Sequence, residues 1–197
     1  MNDIKIIDNF LPQFIQDKIE EYVVNNGCEY VIGTRTYPKH INVEFGTKYF
    51  EGIQLVNKFF EEGAFIKKDM SHYFLLPLQI GFINIGRIFA LEQITRAKVN
   101  VKFKQTSNEQ NLINPPHKDA LGTKQFGTNL IGIYYINNSD GDTIIYENTK
   151  DLNNPKIIKR VSPKKGRLLL MDGNRLHSAS HPLKTETRMI INYNLIL

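Results

Sequence analysis

Hydrophobic and polar positions follow two different periods along this chain. The opening run IKIIDNFLPQFIQDKIEEYVVNNG reads as a short strand, a turn and a helix that begins near Pro12, where a missing amide proton does no harm. Ile15, Ile19, Tyr22 and Val23 recur at helical spacing on one face, and Asn25-Asn26-Gly27 supplies a stop. A second amphipathic stretch carries Ile53, Val56 and Phe60 on one side and ends at Glu61-Glu62-Gly63. The segment from Met70 to Gln93 fits a helix or a hairpin equally well. From Arg96 the period becomes two: Ala97, Val99, Val101 and Phe103 alternate with Arg96, Lys98, Asn100 and Lys102. Short strand-like runs follow (NLIGIYYIN, DTIIYE, KIIKRV, RLLLM, RMIINYNLIL), separated by turn chemistry such as Asn137-Asn138-Ser139-Asp140-Gly141 and Ser162-Pro163-Lys164-Lys165-Gly166.

Helices first and many strands afterwards predict a mainly β, α+β protein. Its core would be a double-layered antiparallel, jelly-roll-like sheet with helices packed outside, rather than alternating βαβ units. With no internal repeat and no low-complexity linker, residues 1–197 read as one domain. Residues 1–95 would supply a strand and supporting helices, and 96–197 the β core.

Composition narrows the function classes. A chain of 197 residues with 41% hydrophobic and 23% charged positions can build its own core, and a single cysteine, Cys28, excludes an internal disulfide. The start has no signal-peptide pattern. The greasiest stretch, Tyr73 to Leu91, is interrupted by Pro77, Gln79, Asn84 and Arg87, so no membrane span and a cytoplasmic location are expected. A net charge of +5 raises nucleic acid as a partner, carried by Lys98, Lys102 and Lys104 and by Lys159, Arg160, Lys164, Lys165 and Arg167. The preferred reading of both clusters is a solvated turn and a polar strand face.

The histidines carry the sharper signal. In Pro115-Pro116-His117-Lys118-Asp119 an extended chain puts His117 and Asp119 on the same side, where an imidazole and a carboxylate can occupy neighbouring corners of a metal. A third ligand is available in RLLLMDGNRLHSASHP, from His177, which a rolled sheet can return to the first pair. Two histidines and one carboxylate leave three positions open, the donor set that suits non-haem Fe(II). Arg188 lies on the last strand, sharing a face with Ile190 and Asn192 while Met189, Ile191 and Tyr193 take the other. A guanidinium on an inward face calls for an anion, and its fork suits a carboxylate.

Taken in order, HKD, IYYIN, DGDTIIYE, SPKKGRLLLMDG, LHSASHP and TRMIINYNL resemble the 2-oxoglutarate and Fe(II)-dependent oxygenases, particularly compact prolyl 4-hydroxylase-like members. The resemblance covers Arg96 to Leu197 and implies a double-stranded β-helix, cupin-like core. It implies that His117, Asp119 and His177 hold the iron and that Arg188 pairs with the distal carboxylate of 2-oxoglutarate. The family's spacing to the arginine favours His177 over His181. Tyr135 matches the tyrosine whose hydroxyl touches that same carboxylate, which would leave Tyr134 pointing outward. Ile190 departs from the pattern, since many relatives carry Ser or Thr there. Asn100, on the polar face of its strand, is a candidate contact for cosubstrate or substrate. The segment KQTSNEQNLINPP reads as a mobile polar loop at the entrance.

The implied reaction is hydroxylation with dioxygen, releasing succinate and CO2, with ascorbate as a possible support. Asp119 argues against halogenation, because halogenating relatives replace this carboxylate. A peptidyl proline is the leading substrate, ahead of another protein side chain or a small molecule. Nucleic-acid demethylases of the family carry a second arginine where this chain has Asn194, so that partner is disfavoured. The rival of another class is a non-catalytic β-helix module that binds a metal or a small acid.

Overall fold

A computed structural model describes residues 4–25, 28–33, 49, 52–61, 64–66, 74–75, 78–83, 86, 88, 90–106, 112–119 and 129–196. Strand β1 (Lys5–Ile7) is followed by helix α1 (Gln13–Asn25) and strands β2 (Val31–Gly33), β3 (Gln54–Glu61), β4 (Ala64–Phe65) and β5 (Ile94–Phe103). Then come β6 (Asn129–Tyr135), β7 (Thr143–Tyr146), β8 (Ile157–Val161), β9 (Leu168–Asp172), β10 (His177–Ala179) and β11 (Thr187–Ile196). Among the described residues these strands form a large sheet in the order β1-β9-β6-β11-β5-β3-β2, with β4 on β3, and a small sheet β10-β7-β8; every pairing is antiparallel. Isolated bridges Ile113↔Ser180 and His117↔His177 add residues 112–117 beside β10.

The period-two reading of the second half matches the two faces of the large sheet. Ala97, Val99 and Val101 of β5, with Met189, Ile191 and Tyr193 of β11, face an outer layer containing Ile19 and Val23 of α1 and Phe74, Leu78 and Phe82. Ile131, Ile133 and Tyr135 of β6, Leu169 and Met171 of β9, and Ile190 of β11 face the small sheet and pack with Ile145 and Val161. Each fully buried side chain of this kind contributes roughly 1.5–3 kcal/mol. The alternation therefore commits β5 and β11 to one register, and a slip by one residue would turn both faces over.

The helical expectation holds for α1, which starts just after Pro12 and buries Ile19 and Val23, with Ile15 and Tyr22 packed against them. Asn26 and Gly27 of the expected stop lie outside the described residues. Residues 78–83, within the ambiguous Met70 to Gln93 stretch, are helical, and Tyr193 Oη donates to the Phe74 carbonyl at 2.8 Å.

The second amphipathic stretch differs from its expectation. It is strand β3, paired with β5 from Gln54↔Lys102 to Glu61↔Arg96, with a register shift between Lys58 and Phe60. Tyr134 does not point outward. It takes the opposite face from Tyr135, but α1 covers that face and leaves Tyr134 2% exposed.

Nor are the basic clusters simple solvated runs. Lys164 and Arg167 pair with Asp8, and Lys165 pairs with Asp17 and Glu20, tying the β8–β9 turn to β1 and α1. Gly166 closes that turn at φ +77°, a left-handed conformation that glycine adopts without strain. Lys104 pairs with Glu186, whereas Lys98 and Lys102 turn into the space between the sheets. Among the described residues no helix is long and apolar enough to cross a membrane.

Candidate metal centre and anion pocket

The HSASHP and PPHKD segments meet through their backbones. His117 N donates to His177 O at 2.8 Å, and His177 N donates back to His117 O at 3.0 Å, which leaves the imidazoles with ring centroids 4.6 Å apart. Each ring is oriented by the carbonyl two residues before it: His117 Nδ1 lies 3.0 Å from Pro115 O, and His177 Nδ1 lies 2.9 Å from Arg175 O. A carbonyl can only accept, so in both rings Nδ1 is the donor and Nε2 is the nitrogen left for a metal. Burial, with His177 beside it, pushes the His117 pKa down to about 4, so this ring is neutral at pH 7.

Asp119 completes the group, with Oδ1 3.8 Å from His117 Nε2. Burial alone would raise its pKa, but His177, His117, Lys98 and Arg96 outweigh that and hold the carboxyl below the usual range. Its other oxygen, Oδ2, accepts from Asn192 Nδ2 at 2.8 Å and lies 3.6 Å from Arg96 Nη2. One candidate ligand atom from each of His117, Asp119 and His177 lies within 4.8 Å of the others, close enough for a single ion to bridge. Two imidazoles and one ionised carboxylate, each with its outer atom already engaged, fit a divalent transition metal such as Fe(II).

The same cavity continues along the inner faces of β5 and β11. Arg188 is 1% exposed; its Nε donates to Gly141 O at 2.7 Å and Nη2 donates to Thr143 Oγ1 at 2.8 Å, both neutral acceptors. Burial presses its pKa down, yet a guanidinium stays charged at neutral pH. Asp140 shapes this end by accepting from the amides of Leu183, Lys184 and Thr185, which holds the turn into β11. Gly141 is required where it stands. A Cβ there would lie 2.9 Å from both Arg188 Cδ and the Ser180 carbonyl oxygen. Gly141→Ala is therefore expected to lower stability by about 1–3 kcal/mol, read as a shift of the urea unfolding midpoint.

Asn100, proposed from its strand face, lines this cavity between the two ends. Among the described residues, its Oδ1 and that of Asn192 are buried without a hydrogen-bond partner. Orphaned acceptors on a cavity wall favour a ligand or water with donors to offer.

Tyr135 lies beside Arg188. Its ring lies 5.8 Å from the Arg188 guanidinium carbon, but its hydroxyl donates to Thr143 Oγ1 at 2.7 Å and it is not among the cavity-lining residues. It braces Arg188 through Thr143. Thr143, reaching in from the small sheet, also supplies a hydroxyl at the end where Ile190 cannot.

His181 stands apart from the three. It is 2% exposed, and its backbone amide donates to Leu112 O at 2.9 Å. The expected entrance loop is ordered at its end: Leu112 is buried and Asn114 N donates to Ala179 O at 2.8 Å, while residues 107–111 lie outside the described residues.

The sequence reading passed over several lining residues: Gln54, Lys98, Lys102, Asn114, Thr143 and Asn192. Lys98 and Lys102 alternate with Asn100 on one strand face. The period that nominated the asparagine therefore also nominated the lysines.

No family model matches the chain, and no curated protein matches it by sequence. Solved structures do match. A prolyl hydroxylase from Trichoplax adhaerens, in complex with a hypoxia-inducible-factor degradation-domain peptide, superposes with TM-score 0.59 at 17% identity, over 99% of this chain and 84% of that one. An oxidoreductase of the 2OG-Fe(II) oxygenase family from Burkholderia pseudomallei gives 0.61 at 11% identity, over 97% and 84%. The epimerase SnoN, in complex with Fe3+, alpha-ketoglutarate and nogalamycin RO, gives 0.59 at 10% identity, over 99% and 79%. At these identities it is the architecture that is shared. The chain has the prolyl 4-hydroxylase-like fold of the 2-oxoglutarate/Fe(II) oxygenases, a double-stranded β-helix with its outer helical layer.

Proposed function

We propose that this protein is an Fe(II)- and 2-oxoglutarate-dependent dioxygenase that hydroxylates its substrate and releases succinate and CO2. The observation that carries this reading is the placing of His117, Asp119 and His177 in one cavity with Arg188, a buried cation whose hydrogen bonds, among the described residues, go to neutral groups. When bound, ferrous iron with 2-oxoglutarate and dioxygen supplies the oxidising power for C–H hydroxylation.

The chain's own residues supply placement. Nε2 of His117 and of His177 and one oxygen of Asp119 hold the metal, and the Pro115 and Arg175 carbonyls and Asn192 keep those groups aimed. Arg188 binds the far carboxylate of the cosubstrate, backed by Thr143 and Tyr135. Ile133 and Ile190 form an apolar stretch of the wall that limits water. Asn100 offers cosubstrate or substrate a carbonyl that has no hydrogen-bond partner among the described residues.

A peptidyl proline is the proposed substrate, in line with the prolyl hydroxylase among the structural neighbours. The test is incubation of the purified protein with Fe(II), ascorbate and 2-oxoglutarate, with and without proline-containing peptides, followed by succinate measurement and mass spectrometry. Peptide-stimulated succinate with a gain of one oxygen on proline is expected. Succinate without any oxidised peptide would move the substrate to a small molecule. No succinate above a His177→Ala control would favour the binding module.

A further inference from the structure

Lys102 is the least expected group in the cavity. It is 3% exposed on β5, directly across from Arg188 on β11 and beside Gln54 on β3, so one rung of the large sheet carries two buried cations and an amide. Like charges on facing positions of neighbouring strands destabilise a sheet. Burying an ammonium is expensive unless it is paired. Among the described residues, the hydrogen-bond partner of Lys102 is Asn114 Oδ1, a neutral amide held in place by the pairing of its backbone with Ala179. A lysine used only for packing would not be set against a guanidinium.

The arrangement makes sense once an anion arrives. The two side chains reach the same end of the cavity from adjacent strands, and the opposite end holds the acid and the histidines. We propose that Lys102 and Arg188 form a two-cation clamp on the far carboxylate of a dicarboxylic acid whose other end sits at the His117–Asp119–His177 centre. In this clamp Arg188 offers its planar fork and Lys102 a compact point charge. Without the anion, burial and then Arg188 and Lys98 push the Lys102 ammonium well below its ordinary pKa, and a carboxylate beside it would favour the charged form. The proposal rests on the oxygenase reading for the identity of the acid and goes beyond it in assigning Lys102.

Calorimetry on the Mn(II)-loaded protein without turnover tests this, using 2-oxoglutarate and pyruvate as probes; pyruvate has the same 2-oxo acid head and no far carboxylate. Lys102→Met is expected to weaken 2-oxoglutarate binding by about 10- to 100-fold, the range for loss of a charge-assisted hydrogen bond. Pyruvate affinity should change less than about twofold, because this end of the cavity does not reach it. Lys102→Arg should recover most of the loss. If the methionine variant does not fold, Lys102→Gln keeps a donor for Asn114, removes the charge and should show the same split. Unchanged 2-oxoglutarate affinity in the folded variant, or equal weakening of both acids, overturns the clamp alone. Wild-type protein that binds no 2-oxoglutarate overturns the clamp together with the oxygenase reading.

Discussion

In the His177→Ala protein, 2-oxoglutarate-dependent succinate formation is expected to fall to the no-enzyme background while the chain stays folded. The imidazole at 177 is one of three groups that meet at the centre, and among the described residues no other ligand joins them: His181 is turned away, with its ring near Phe103 O and Asn114. Loss of even an outer partner of a metal ligand typically lowers metal affinity by roughly 10–100-fold. Loss of the ligand itself should exceed that and leave the site empty at micromolar iron. The backbone bonds to His117 survive in alanine, so the structural cost should stay in the ordinary range of about 1–2 kcal/mol. Circular dichroism and the urea midpoint separate lost iron from lost fold. Succinate formation that persists in a folded His177→Ala protein would mean that the metal is held elsewhere.

Arg188→Met should leave the metal in place and remove the cosubstrate. Arg188 is not a ligand, and its nitrogen donors are directed at Gly141, Thr143 and the cavity. Taking away one partner of a buried, hydrogen-bonded charge pair costs about 2–5 kcal/mol, so the dissociation constant for 2-oxoglutarate should rise by roughly 30-fold to several thousandfold. Metal binding, measured separately, should change little. Because Gly141 O and Thr143 Oγ1 lose a donor, Arg188→Lys is the companion variant, and it should fall between wild type and methionine. An unaltered affinity in the methionine variant would remove Arg188 from the cosubstrate site.

What could be read in advance, and what could not, follows from how each segment is surrounded. Strands β5 and β11 were legible because one face packs against an apolar layer and the other faces a polar cavity, so alternation survives from Arg96 to Lys102 and from Arg188 to Leu195. The histidines and Asp119 stood out for a chemical reason, since few segments pair an imidazole and a carboxylate on one side of an extended chain.

Strand β3 was misleading. Its register shift between Lys58 and Phe60 interrupts the alternation, and Gln54 and Asn57 are buried polar groups, one on the cavity and one donating to Glu29 O at 2.6 Å. Three apolar positions of this stretch, Ile53, Val56 and Phe60, happen to fall at helical intervals. Lys98 and Lys102 were read as a solvated face because periodicity distinguishes two faces but does not say whether the polar one meets bulk water or an enclosed cavity. Similarly, the contact of the Tyr135 hydroxyl with Thr143 was not legible, because Thr143 lies on another sheet.

The central claim is that His117, Asp119 and His177 together hold one ferrous ion beside a dicarboxylate. Its most direct measurement is an anaerobic Fe(II) titration of wild-type and His177→Ala protein side by side, with and without 2-oxoglutarate. One ion per wild-type chain, bound more tightly when 2-oxoglutarate is present and not bound by the variant, is the result expected. Iron uptake that is equal in the two proteins, or that does not respond to 2-oxoglutarate, would contradict it.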